Sequence, residues 1–228
     1  MQHLNPRLVL LGGCILAFGA SVVNVTFILQ AGTSVSHLTG DLSRIGRDVA
    51  NESGAFNTDL LRVTAATLGF ILGAATSGFL IHHPQLEIAR PYGRTLSSMG
   101  LLLLLSAYLR ADHLVAAIAI AGFTCGMQNA LASRYRGVVL RTTHVTGILT
   151  DLGITLGMKL RGHAIERWKL EIPFLLAVSF FTGAVCGSVL NLTTELPVLL
   201  LCGIAYILGG LGVTITKRLP SRKSATPA

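Results

Sequence analysis

Charge is scarce in this sequence. Only 12% of its 228 residues are Asp, Glu, Lys or Arg, against 51% hydrophobic residues and a mean hydropathy of +0.65. That balance does not suit a water-soluble globular domain and points to one integral membrane domain. The net charge of +8 does not make a nucleic-acid binder of it, because Lys and Arg are spread between apolar runs and form no single patch. Paired cysteines are missing too. Cys14, Cys125, Cys186 and Cys202 each fall within an apolar run, without metal-ligand or redox spacing, and read as buried thiols. No nucleophile elbow, zinc-protease helix or phosphate loop occurs. Catalysis, a metal and a cofactor are therefore not expected. The first apolar run has no small-residue cleavage site and exceeds the roughly 7–15 residues of a signal-peptide core, so it reads as a retained span.

What the sequence does contain is six apolar runs, at about 8–29, 60–82, 95–110, 113–132, 172–191 and 196–216. Each is long enough, or nearly so, to cross a hydrocarbon core, which takes about 20 helical residues. The third and fourth are separated only by "RADH", a tight helical hairpin. With the N-terminus in the cytoplasm, six crossings put fourteen of the eighteen Lys and Arg inside and leave Arg44, Arg47, Arg62 and Arg110 outside. The positive-inside rule then places both termini in the cytoplasm. Residues 217–228, "KRLPSRKSATPA", read as a basic tail drawn to anionic lipid heads.

One polar phrase occurs twice. "HLTGDLSRIG" at 37–46 matches "HVTGILTDLG" at 144–153 in His, Thr, Gly, Leu and a second Gly. Each copy follows a Gly-containing span with an internal Asn, at the end of "AFGASVVN" (Asn24) and of "GFTCGMQN" (Asn129). Each precedes another matching span, in which Phe70, Gly73 and Ala74 align with Phe180, Gly183 and Ala184. Likeness in three places in the same order indicates a duplicated unit. Three crossings per unit is an odd number, so the second copy must enter from the opposite side. The expected fold is an all-α polytopic membrane protein of about six transmembrane helices in two inverted-topology repeats, about 8–110 and 113–216, within one domain spanning 1–216. Each repeat carries a short Thr-Gly re-entrant or discontinuous helix, and full crossing by one or both of these would make seven or eight spans. The second, "VTGILTDLGITLG", is apolar enough to lie deeply buried, whereas the charges of the first suit a shallower position.

The phrase "HLTGDL" after the first span, together with "GMQNA" and "TTHVTG" in the second half, resembles the YoaK-like family of bacterial inner-membrane proteins (domain of unknown function 1275). The likeness covers most of the chain. Members of that family commonly carry Asn after the first Thr-Gly, where this chain has Asp41, with Ile148 in the second copy. The resemblance implies a compact protein of the bacterial inner membrane and brings neither a reaction nor a substrate with it.

The candidate site follows from the repeat. Thr39 and Thr146 suit helix N-caps, and Gly40 and Gly147 allow a backbone or ligand to approach closely. Two helix starts meeting at mid-membrane would favour an anionic or zwitterionic solute. Asp151 lies one turn beyond Gly147 on the face shared with His144, and a carboxylate in an apolar segment seeks a cavity or a partner, here His144, Arg141 or His37. His37 and His144 titrate near neutrality and suit proton coupling. Asn24, Asn129 and Thr143 complete the set. The plainer alternatives are that Thr caps, Gly packs, each His bonds a carbonyl, Asp151 anchors an ion pair and the amides join helices. The spacings Gly69 to Gly73, Gly122 to Gly126 and Gly183 to Gly187 read as close packing, within the chain or across a homodimer. The expected function is a small secondary carrier of an unknown solute, with membrane lipids as neighbours. A scaffold or lipid-binding protein and a channel are the alternatives.

Overall fold

The computed structural model describes residues 6–50, 56–81, 92–131, 134–135, 138–139 and 142–218. His82, His83, Arg141 and most of the basic tail lie outside them. Among the described residues the order is α1 (Pro6–Ala31), α2 (Leu38–Ala50), α3 (Phe56–Ile81), α4 (Tyr92–Leu109), α5 (Leu114–Leu131), a two-residue antiparallel pairing of β1 (Arg134–Tyr135) with β2 (Val138–Val139), α6 (Val145–Leu160), α7 (Trp168–Thr193) and α8 (Val198–Arg218). All six apolar runs are helices, and so are both Thr-Gly segments. Five of them, α1, α3, α5, α7 and α8, are long and apolar enough to cross a membrane, which makes this an all-α membrane protein. The remaining run, α4, has the length but carries Arg94, Thr95, Ser97 and Ser98 in its first turns.

The apolar helices pair as α1 with α7, α3 with α5, and α4 with α8. Glycines set each seam. Gly69 and Gly73 lie against Ala119 and Phe123, and Gly122 and Gly126 against Ala66 and Phe70, so α3 and α5 run parallel. Gly183 meets Phe18 and Gly187 meets Val22, so α1 and α7 are parallel as well. Gly93 faces Gly210 and Gly100 faces Gly203, which makes α4 and α8 antiparallel. The small-residue spacings therefore serve contacts within the chain. Phe27, Met99, Leu103, Ile118 and Leu199 fill the core where α1, α4, α5 and α8 meet. The outer surface is apolar: Phe79, Phe181 and Leu192 are 76%, 68% and 71% exposed, as suits side chains facing lipid.

The first Thr-Gly helix is built inside out relative to a helix in water. Leu38, Leu42, Ile45 and Val49 form one stripe of α2, and Asp41, Arg44 and Asp48 the other. Leu42 and Val49 of the apolar stripe are exposed, while Asp48 is buried and Asp41 and Arg44 are half-buried. Asp41, Arg44 and Asp48 are turned inward and paired, Arg44 with Asp41 at 3.5 Å and Asp48 with the exposed Arg47 at 2.6 Å. The second helix departs from expectation: only Ile148 of α6 is buried in protein, Val145 and Leu152 are half-buried, and Leu149, Ile154, Leu156, Met158 and Leu160 are exposed.

The four arginines assigned to the outer side are all engaged near one end of the molecule. Arg62 and Arg44 donate to the carbonyls of Ala31 and Gly32 at 3.0 and 2.5 Å, and Arg110 donates to Gln30 at 2.5 Å. Arg44, Arg62 and Arg110 sit on the negative end of the α1 dipole, where a cation is stabilised, while Arg47 is paired with Asp48.

Candidate functional site

Both Thr-Gly helices begin at the same place, because each is led there by an asparagine. The chain leaves α1 through Gly32, whose φ of 64° suits glycine, and turns back along the helix it has just left. Asn24 holds it there. Its buried Oδ1 accepts the Ser34 hydroxyl at 3.0 Å and the amides of Val35 and Ser36 at 3.0 and 3.1 Å. The Ser34 hydroxyl oxygen in turn accepts the His37 amide at 2.6 Å, and the Asp41 carboxylate accepts the Ser34 amide at 2.7 Å. In the second half Asn129, near the end of α5, accepts the Thr143 amide at 3.1 Å and donates its side-chain N–H to the Thr143 hydroxyl. Gln128 fixes the same turn from behind, donating to Thr142 Oγ1 at 2.7 Å and to the Leu16 carbonyl at 2.9 Å, while it accepts from Tyr206.

These turns place His37 and His144 one residue ahead of α2 and α6. The N-cap reading of Thr39 and Thr146 is thus corrected. Both threonines are second residues of their helices, and at the α6 N-cap stands His144, which gives no side-chain cap bond. His37 meets Phe180, halfway along α7, edge-on with ring centroids 5.0 Å apart at 82°. Between the two helix starts lies a cleft of about 1230 Å³, walled on one side by α3 from Phe70 to Ile81. It runs from the middle of α3 toward that helix's C-terminal end.

The cleft brings together His37, Thr39, Gly40, Asn129, Thr143, His144 and Thr146. It does not bring in the other three expected residues. Asn24 lies behind the wall, as the seat of the 34–36 turn. Gly147 lies under the His144 ring, whose atoms occupy the space a Cβ would need. Asp151 is exposed on the outer side of α6 and does not line the cleft, because its turn of the helix faces away from α3 and α5. Gly40 by contrast has open space where a Cβ would be.

Two cleft residues escaped the sequence reading. Ser36 and Ser77 are 9% and 0% exposed, both line the cleft, and neither hydroxyl has a hydrogen-bond partner. His37 Nε2 is likewise buried and unpartnered. Three such atoms on one wall are uncommon in a folded chain, where buried polar atoms are nearly always satisfied. The available signal was a departure from the repeat: Ser77 stands where the second copy has Gly187.

Burial lowers the pKa of His37 from its ordinary value, and the nearby charge of His144 lowers it further. Both histidines stand in connecting turns, outside the spanning helices. Asp41 is shifted up, mainly by burial and also by Asp59, against the opposing pull of the Ser34 amide and Arg44. For His37 the folded protein resists a proton that the unfolded chain accepts, so its contribution to stability is present at neutral pH and lost as pH falls below about 6.5. The melting temperature in detergent should therefore drop between pH 7.5 and pH 5.5, and His37→Gln should flatten that drop. An unchanged pH profile in His37→Gln would show that other groups dominate it.

A bundle of apolar helices around a cleft, with two short helices starting beside it, defines a polytopic α-helical membrane protein. More particularly, the chain belongs to the family described as protein of unknown function DUF1275, which it matches over residues 12–211. This is the YoaK-like family that "HLTGDL" and "TTHVTG" resemble. No curated protein and no solved structure matches the chain.

Proposed function

We propose that this protein is a small secondary carrier for an anionic or zwitterionic solute, built of two inverted-topology repeats with six crossings. It would lie in the bacterial inner membrane with both termini in the cytoplasm. The repeat is supported by contacts that map onto one another. Gly73 packs on the Phe123 carbonyl and Gly183 on the Phe18 carbonyl, and each Phe stands six residues before its Asn. The shift that carries Phe70 to Phe180 also carries Gly93 to Gly203 and Gly100 to Gly210, so the two contacts between α4 and α8 are images of each other. Burial along Ile71–Ser77 recurs position by position along Phe181–Gly187. Six crossings fit the helix directions, since full crossing by both Thr-Gly helices would make α4 and α8 parallel, and crossing by one alone would make α1 and α7 antiparallel.

The observation that carries the carrier reading is an asymmetry within this symmetric frame. The cleft opens beside α3 and α5. The matching side, beside α7 and α1, is bridged by hydrogen bonds. Gly78 is exposed, with open space where a Cβ would be, whereas its repeat counterpart Ser188 is half-buried. Asn191 there donates to Thr26 at 2.9 Å and accepts from Gln30 at 3.2 Å, and Gln30 is held by Arg110. Exchanging the packing of the two halves would close the first space and open the second, which is alternating access around a fixed site. His37 and His144 are the groups placed to couple a proton to that exchange. Asp151, outside the cleft, has no part in it.

Single cysteines on a background lacking Cys14, Cys125, Cys186 and Cys202 test this in reconstituted vesicles. Gly78→Cys should react with an impermeant thiol reagent from one side, and its repeat counterpart Ser188→Cys from the other. A Ser188→Cys that stays inert while Gly78→Cys reacts would mean a one-sided pocket, and a scaffold or lipid-binding role would replace the carrier.

A further inference from the structure

We propose that the cleft takes a monocarboxylate with an apolar body, its carboxylate held between the two helix starts. The inference deepens the carrier reading and rests on it for the ligand being cargo. Among the described residues that line the cleft there is no Asp, Glu, Lys or Arg, and the two histidines are its sole titratable side chains. A cation would find no carboxylate there. Among the described lining residues a dianion would find no fixed positive charge to balance its second negative one. What the cleft does offer is donors. The hydroxyls of Ser36 and Ser77 and Nε2 of His37 are buried without partners, and each can donate in the neutral state. The starts of α2 and α6 point first-turn amides and the positive ends of two dipoles into the same space, and α6 lacks a side-chain cap. Donors beside partial positive charge, without a full cation, match one delocalised negative charge with two acceptor oxygens.

The remaining wall sets the other half of the ligand. Leu38, Phe70, Ala74, Ile81 and Val145 line the cleft alongside the donors, and its volume exceeds what a carboxylate alone would fill. An apolar body against this wall would leave water, while an all-polar solute would leave the wall wet. Asp41 does not oppose the anion directly, because its carboxylate is occupied by the Ser34 amide and by Arg44 and does not line the cleft.

The test is titration calorimetry of the full chain in nanodiscs with sodium benzoate, benzamide and benzylammonium. These probes share a ring and differ in the charge of the head. Benzoate should bind at least tenfold more tightly than either of the others. Ser77→Ala combined with His37→Gln should weaken benzoate at least tenfold. Gly78→Leu, which fills open space and touches none of the donors, should do the same and covers the case in which the double variant fails to fold. Benzamide binding as well as benzoate, benzylammonium binding better, or no heat from benzoate would each overturn the proposal. Cysteine labelling needs no ligand, so the two readings fail separately. Benzoate binding with an inert Ser188→Cys keeps the site without the carrier, and alternating labelling without benzoate binding keeps the carrier with another solute class.

Discussion

Gly126→Ala should cost this protein its folded state. The Cβ it adds would stand within van der Waals contact of the Phe70 carbonyl oxygen, and the Phe70 Cα would be only 2.9 Å away. Backbone cannot swing aside as a side-chain tip can. Relief would require parting α3 from α5 along a seam that Gly69, Gly73 and Gly122 hold equally close. Without a hydrophobic force between helices in lipid, that close packing is a main source of their association. Alanine gains up to about 1 kcal/mol in helix propensity. Overpacking against backbone should cost about 3 kcal/mol or more, so the loss wins. Gly153→Ala is the matched control. Nothing lies within 4 Å of the Cβ it adds, so propensity alone should leave it neutral or slightly more stable. Yield of monodisperse protein and melting temperature in detergent read both variants, and a Gly126→Ala protein as stable as the parent would refute the seam.

Much of this arrangement was legible because two similar phrases constrain more than composition does. The paired phrases located both short helices within a residue or two, and the glycine spacings were read as close packing without their partners being named. His37, Thr39, Gly40, His144 and Thr146 carried over to the cleft because they sit where the chain turns inward, while Gly147 did not. Hydrogen-bond roles were less legible. Asn24 and Asn129 looked alike in sequence, yet whether an intramembrane amide faces a cavity or a backbone depends on a turn ten residues later. Asp151 was drawn toward the site by helical periodicity, which fixes a face but not what that face meets. The charged stripe of α2 was not legible either: polar residues signal the water side only when nothing inside the protein can pair them, and here Asp41 and the Gly32 carbonyl pair Arg44. Ser77 was hidden among small residues that serve packing elsewhere on the same helix.

The second large effect is expected at the asparagine that seats the first turn, and the two asparagines should answer differently. Asn24 acts there as an acceptor only: its Oδ1 serves the Ser34 hydroxyl and the amides of Val35 and Ser36. Asn24→Ala removes that oxygen from a residue that is 4% exposed, strands the Ser34 hydroxyl and the Val35 amide, and leaves the Ser36 amide only its 3.3 Å bond to Ser34 Oγ. At about 1–3 kcal/mol for each unsatisfied buried group, the loss should be about 3 kcal/mol or more. Asn24→Asp keeps an acceptor facing the same three donors and should retain much of the parent's stability. Asn129 both accepts the Thr143 amide and donates to its hydroxyl, so Asn129→Asp gives up the donor and sets a new carboxylate beside Thr143 Oγ1. It should be the less stable of the two aspartate variants. The 34–37 turn also carries Ser36 and His37 to the cleft. Benzoate binding should therefore weaken in Asn24→Ala at temperatures where the helices remain folded, and persist in Asn24→Asp. Melting curves and calorimetry on the three variants decide the matter. If Asn24→Asp proved as damaging as Asn24→Ala, the acceptor role would be wrong, and the turn would owe its place to packing around Val35, which is itself fully buried.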